Sequence, residues 1–300
     1  MGKFKAIWQL MRLEHGIMLF IAIVIGSVIA QKTLSGNTNL PLLNVFLTFF
    51  TALFLEASTF ALNDYYDLEI DRINKRTDRP LIRGDISPKT ALYFFYLLFP
   101  LGLLCSFFVN MTCFIIALIT ALISVLYDVK LKKIKLVGNF YIAYIMAIPF
   151  IFGGAAVLGN NAFSLGTINP VIYIIALIAF LTGAGREIMK DVMDFEGDKT
   201  MGVKSFPRYI GIRGANGIAA VFYICAIALS FLPFFLRDFG LYYQNITYFI
   251  LVFITDTMLL STSLQLVMKK KPNMRFHRKY TLVAIFIGLL AFLVGAFIGG

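Results

Sequence analysis

The chain has 300 residues, of which 59% are hydrophobic and only 14% charged, and its mean hydropathy is +0.83. That composition excludes a soluble globular domain and describes an all-α bundle that crosses a bilayer many times. The formal charge of +11 does not call for nucleic acid, because lysine and arginine in a membrane protein set topology and meet anionic headgroups.

Nine apolar segments follow one another, at about 15–31, 42–64, 89–108, 111–127, 137–158, 168–188, 213–234, 244–267 and 280–298. Each is near the ~20 residues that a helix needs to span the hydrocarbon core. With no long linker or low-complexity tract between them, residues 1–300 read as a single membrane-embedded domain. Arg12 and His15 open the first segment, and a Val28-x-Ala30 end imitates a signal-peptide cleavage site. The polar leader ahead of it is long, and the spans alternate only if it stays, so it reads as a retained helix. The third and fourth segments are split mainly by Asn110, which leaves eight or ten spans open. Glu56 and Asp256 fall inside spans and should be paired with a neighbour or serve a polar site. Cys105, Cys113 and Cys225 lie in apolar segments, and an odd number without His nearby argues against both a disulfide framework and a thiolate metal site.

Charge placement sets an orientation. With the N-terminus cytosolic, 25 of the 27 lysines and arginines fall on the inner side, and only Lys32 and Arg237 fall outside. This asymmetry predicts a multi-pass cell-membrane protein with a cytosolic N-terminus and an external C-terminus.

The spacing Asp-x-x-Asp-x-x-x-Asp occurs twice, as Asp64, Asp67, Asp71 and as Asp191, Asp194, Asp198. Positions i, i+3 and i+7 share a helix face, so each triplet presents its carboxylates together. Both stand at the inner ends of their spans, the second and the sixth, where an ionised carboxylate avoids most of the ~2.5–3.5 kcal/mol cost of mid-bilayer burial. If the carboxylates converge, each pair at ~6 Å repels by roughly 3 kcal/mol at an effective dielectric near 20. Cations would relieve that repulsion. A lone aspartate would be a solvated helix end; six at a duplicated spacing predict one site that collects cations. Carboxylates with the amide oxygen of Asn63 make a hard oxygen donor set suited to Mg²⁺ or Mn²⁺. Asn63, Asp64, Asp67, Asp71, Asp191, Asp194 and Asp198 are the metal candidates. Mg²⁺ shares its shell with phosphates, and a basic company surrounds the motifs: Arg12, Arg72, Lys75, Arg76, Arg79, Arg83, Lys130, Lys132, Lys190 and Lys204. Each alone is first a topology determinant; together, on one face, they suit a bound phosphate. The 31 Phe and 14 Tyr mostly face lipid or core, but a subset around a cavity could stabilise a carbocation.

These residues together resemble the UbiA superfamily of intramembrane prenyltransferases. Asn63-Asp-Tyr-Tyr-Asp67-Leu-Glu-Ile-Asp71 matches its NDxxDxxxD motif, and Asp191-Val-Met-Asp194-Phe-Glu-Gly-Asp198 its second aspartate motif. Arg186-Glu-Ile-Met-Lys190-Asp191, running into the second motif, looks most like the branch that makes archaeal ether lipids. The resemblance implies Mg²⁺-dependent transfer of a geranylgeranyl group from geranylgeranyl diphosphate to geranylgeranylglyceryl phosphate, closing the second ether bond of archaeal membrane lipids. It assigns the catalytic metal-holding role to Asn63, Asp67, Asp71, Asp191, Asp194 and Asp198, with Asp64 a ligand or its support. It also carries over Tyr127 as a diphosphate contact. Where many members have Tyr-x-x-x-Lys, Leu131 stands at the lysine position, leaving Lys130 and Lys132 as candidates.

Three other readings stand beside this one. An aromatic-acceptor member of the same superfamily, of the quinone, haem or chlorophyll type, would keep the metal site and change the acceptor. A CDP-alcohol phosphotransferase would need the D-G-x-x-A-R signature, which the chain lacks. A divalent-cation transporter would place acidic residues near mid-membrane on several spans, where only Glu56 and Asp256 lie.

Overall fold

The computed structural model describes residues 2–73, 76–132, 134–159, 165–200, 202–270 and 272–299. Among them, nine helices are long and apolar enough to cross a membrane. The helices are α1 (Lys3–Met11), α2 (Gly16–Ser35), α3 (Leu42–Tyr66), α4 (Leu68–Ile73), α5 (Pro80–Arg83), α6 (Pro88–Val109) and α7 (Met111–Leu126). They continue as α8 (Lys135–Ala155), α9 (Pro170–Thr200), α10 (Phe206–Ser230), α11 (Leu232–Phe235), α12 (Ile246–Met268) and α13 (Met274–Ile298). The chain forms two compact units, one of Met1–Phe20, Pro41–Lys130 and Ala155–Leu165, the other of Ile21–Leu40, Leu131–Gly154 and Gly166–Gly300.

In the first unit, Asn110 resolves the eight-or-ten question by ending one helix and starting the next. It is extended (φ −173°), its Oδ1 accepts from the Cys113 amide at 2.8 Å, and its Nδ2 donates to Ala155 O and Leu158 O at 2.9 and 3.1 Å. One buried side chain thus caps α7 and satisfies two further backbone carbonyls that lipid could not. Helices α3 and α6 pack closely at Gly102, where a Cβ would meet Leu55 Cγ at 3.0 Å. The leader before the first span is itself a helix. Ala6 and Leu10 of α1 are fully buried with Ala61, Leu81, Ile86 and Ala91, while Phe4 and Trp8 stay exposed, the division expected of a helix lying in a membrane interface. Glu56 is paired with His15 at 3.1 Å, and the His15 ring meets Phe60 edge-on.

In the second unit, backbone meets backbone between α2 and α8. A Cβ on Gly26 would lie 2.0 Å from Phe150 O, one on Gly153 would lie 2.1 Å from Ile23 O, and Ser27 Oγ donates to Gly153 O at 2.9 Å. Without a hydrophobic drive between helices in lipid, such small-residue crossings supply the dispersion that joins them. Helices α9, α10, α12 and α13 share a core of Ile188, Met189, Val192, Ala215, Ala219, Tyr223, Leu259, Leu266 and Ala284. Asp256 is paired with a neighbour, the buried Ser230 hydroxyl, which donates to its Oδ2 at 2.7 Å. Several helices outrun the apolar segments: α9 continues to Thr200 and α13 begins at Met274. Hydropathy marks the lipid-facing length, whereas these helices carry their polar ends beyond it.

Candidate active site

The first aspartate motif lies in the first unit, where α3 passes almost unbroken into α4. Asp67 separates them with near-helical angles (φ −84°, ψ −4°), its amide donates to Asn63 O at 3.0 Å, and the Asp71 amide donates to Asp67 O at 2.7 Å. The backbone therefore keeps the one-face spacing of the motif. Asn63 Nδ2 donates to Asp128 Oδ1 at 2.9 Å, which fixes the amide and turns its oxygen the other way. Asp128 is buried at the start of a π-helical turn, Tyr127–Leu131, that also carries half-buried Tyr127 and exposed Lys130.

Asp64 is buried between two arginines: its Oδ1 accepts from Arg79 at 2.8 Å and from Arg12 at 3.2 Å. Its Oδ2 is buried with no hydrogen-bond partner. Arg79 also approaches Asp71 Oδ2 at 3.7 Å. The Arg12 guanidinium stacks on Phe60, 4.1 Å from the ring centroid, and its backbone is left-handed (φ 49°) where α1 ends. Burial, with Arg79 nearby, lowers the Arg12 pKa, and Asp64 opposes that shift. Arg12 and Arg79 were expected to meet phosphate; both are engaged by Asp64. Arg76 and Arg83 bond within the loop that follows the first motif. Arg76 forms a two-pronged pair with Asp78 at 2.9 and 3.0 Å, holding that carboxyl down at about 2. Arg83 bonds Asp85, Gln9 and the carbonyls of Thr77 and Asp78. Arg72 is exposed, and Lys75 lies outside the described residues.

The second motif lies in the second unit, wholly on the long helix α9. Asp191 is buried and Asp194 exposed. Lys135, at the start of α8, donates to Asp198 Oδ2 at 2.6 Å and stands 3.6 Å from Asp191 Oδ1. Asn139, one turn further along α8, donates to Asp191 Oδ2 at 2.7 Å. Lys190 is turned to Glu187 at 2.6 Å, and Lys204 is exposed. Lys135 reaches the carboxylates of the second motif, and Lys130 and Lys132, the candidate diphosphate lysines, lie just before it in the same basic loop. Asp128, Lys135 and Asn139 carried no motif signal, though Lys135 belongs to the same basic loop.

Each motif is thus held by its own cations: two arginines on Asp64 and one lysine across Asp191 and Asp198. Among the described residues no three acidic, His or Cys side chains form a closed metal cage. The donors present are all oxygen, the orphaned Oδ2 of Asp64 is one of them, and such a set fits Mg²⁺, which completes its shell with waters and substrate phosphate.

The sequence profile of the UbiA prenyltransferase family matches residues 19–290. The chain belongs to that family. It is 42% identical over 294 residues to a digeranylgeranylglyceryl phosphate synthase of Archaeoglobus fulgidus, covering 98% of this chain and 96% of that one. A synthase of the same name from Methanocaldococcus jannaschii is 38% identical over 299 residues, covering 99% and 98%. Among solved structures, a digeranylgeranylglyceryl phosphate synthase superposes with a TM-score of 0.78 at 37% identity, covering 99% of both chains. A UbiA homologue from Archaeoglobus fulgidus bound to DMAPP and Mg²⁺ shares the fold at TM-score 0.59 and 18% identity, covering 96% of this chain and 99% of that one.

Proposed function

We propose that this family member is a digeranylgeranylglyceryl phosphate synthase, transferring a geranylgeranyl group from its diphosphate to the free hydroxyl of geranylgeranylglyceryl phosphate. The observation that carries the reading is the pair of aspartate motifs, each with a buried carboxylate at a helix end (Asp64, Asp191) that is met by cations of its own unit. The near full-length identity to archaeal synthases supports the acceptor. The chain works as one catalytic domain in the cell membrane, with both motifs on the cytosolic side.

Asn63, Asp67 and Asp71 in the first unit, and Asp191, Asp194 and Asp198 in the second, would offer oxygens to Mg²⁺, which would neutralise the charge of the donor's diphosphate. Bound Mg²⁺ supplies the charge that lets the diphosphate depart from its allylic carbon. The chain's own groups prepare this. Asp128 and Asn139 fix Asn63 and Asp191 in orientation, as supports around a ligand do. Asp64 keeps Arg12 and Arg79 beside the first motif, and Lys135 does the same for the second, so positive charge is present before substrate arrives. The acceptor's hydroxyl oxygen attacks the allylic carbon, the carbon–diphosphate bond breaks, the hydroxyl proton passes to the departing diphosphate or to a motif aspartate, and the surrounding apolar helices keep water from competing.

A detergent assay with Mg²⁺ and labelled geranylgeranyl diphosphate tests the reading, with geranylgeranylglyceryl phosphate and 4-hydroxybenzoate in competition. Label is expected in the glycerol phosphate; label in the aromatic acid would replace the acceptor and keep the metal site. Asp67→Ala and Asp198→Ala should each abolish turnover while the purified protein keeps its helical content. Substantial activity in both would overturn the assignment of the carboxylates.

A further inference from the structure

The donor machinery accounts for Asp191, Asp194 and Asp198 on α9 but not for the two residues one and two turns before Asp194. Arg186 and Lys190 lie at i and i+4, and Asp194 follows at i+8, so all three share one stripe of the helix. Arg186 is poorly compensated. Its Nε is buried with no hydrogen-bond partner, and its contact with Glu187, Nη1 to Oε1, is 3.7 Å, beyond hydrogen-bonding distance. The other oxygen of Glu187 is already engaged by Lys190 at 2.6 Å. Two cations therefore share one buried carboxylate. A guanidinium does not shed its proton, so a net positive charge and an unmet donor remain inside the second unit.

Tyr223 of α10 completes the picture. It is fully buried, its hydroxyl makes no hydrogen bond of proper geometry, and it sits in the field of Arg186 and Glu187 with Thr281 among its polar neighbours. Orphaned buried donors are costly, and two of them beside an excess positive charge point to a missing anion.

We infer that Arg186, together with Lys190 and the Tyr223 hydroxyl, binds the phosphate monoester of the acceptor. This rests on the reading given under Proposed function. A dianion matches the charge, and the guanidinium fork matches phosphate oxygens two at a time. The reach also fits: at 1.5 Å per residue, a group held between Arg186 and Lys190 is about 9 Å along the helix from Asp194. A glycerol backbone and a metal-held diphosphate together span that interval. Glu187 acts as a positioning residue that keeps both cations in place.

The test compares geranylgeranylglyceryl phosphate with the same lipid lacking its phosphate, in wild type, Arg186→Gln, Arg186→Lys and Tyr223→Phe. Arg186→Gln should raise KM for the phosphate acceptor about 10- to 100-fold, the worth of a charge-assisted hydrogen bond, and leave KM for geranylgeranyl diphosphate unchanged. The preference for the phosphorylated over the unphosphorylated acceptor should fall by the same factor, with Arg186→Lys between it and wild type. Should Arg186→Gln fail to fold, Arg186→Lys and Tyr223→Phe must still lower that preference. An unchanged preference, or an equal loss on both acceptors, overturns the inference alone. A wild type that ignores the glycerol phosphate and prenylates 4-hydroxybenzoate overturns the proposed function, and this inference with it.

Discussion

At the scale of single residues, the two motifs differ in how their charge is met, and the difference is measurable. The side chain of Asp64 is 1% exposed and carries two arginines on one oxygen. Replacing it with Asn leaves Arg12 and Arg79 facing each other without a counter-charge, and breaking a buried pair on one side costs on the order of 3 kcal/mol. Asp64→Asn should therefore lower the melting temperature in detergent clearly more than Asp67→Asn, whose carboxylate is only half-buried; equal shifts would show that the arginine pair is not structural. Lys135 should behave in the opposite way, costing function more than fold. Its side chain is 29% exposed and serves carboxylates that metal and diphosphate would also seek. Lys135→Met should raise KM for the prenyl diphosphate by about 10- to 100-fold, as losing one charged contact does, and leave the melting temperature close to wild type. Unchanged kinetics would make Lys135 a spectator. The motif aspartates were legible because spacing alone places them on a face. Their partners were not, since Asn63–Asp128, Asn139–Asp191 and Lys135–Asp198 join positions 65, 52 and 63 residues apart and arise only when helices pack.

At the scale of elements, the spans were readable from hydropathy, but their crossings were not, because a glycine looks the same in sequence whether or not a neighbour presses on it. Gly153 and Gly217 make the contrast. A Cβ on Gly153 would strike the Ile23 carbonyl at 2.1 Å, whereas one on Gly217, inside α10, meets nothing within 4 Å. Gly153→Ala must push α2 and α8 apart and should cost more than the ~1–3 kcal/mol of ordinary overpacking, because backbone cannot rotate away. Gly217→Ala should stabilise by about 0.5–1 kcal/mol through helix propensity. Thermal or denaturant unfolding in one detergent checks both, and a Gly153→Ala protein as stable as wild type would refute the close approach. The same blindness applied to the helix ends. α9 carries the second motif well past its apolar stretch, so that Asp191, Asp194 and Asp198 lie on one helix that runs to Thr200.

At the scale of the whole molecule, charge carries the argument for the proposed orientation. The asymmetry of 25 basic residues against Lys32 and Arg237 is large enough that reversing the topology would drag nearly all the positive charge across the bilayer. In the proposed orientation the motifs share the cytosolic side with that charge, where the diphosphate-bearing donor head and Mg²⁺ are supplied. A cysteine placed at exposed Arg76 or Arg208 should then resist a membrane-impermeant maleimide in intact cells and react after permeabilisation. One at exposed Gly36 or Gln244 should react from outside without it. The native cysteines are Cys105, Cys113 and Cys225, and a variant with all three replaced by serine and activity retained provides the background. The reverse labelling pattern would invert the orientation and place both aspartate motifs on the outer face, away from the cytosolic pool of prenyl diphosphate that the proposed reaction requires.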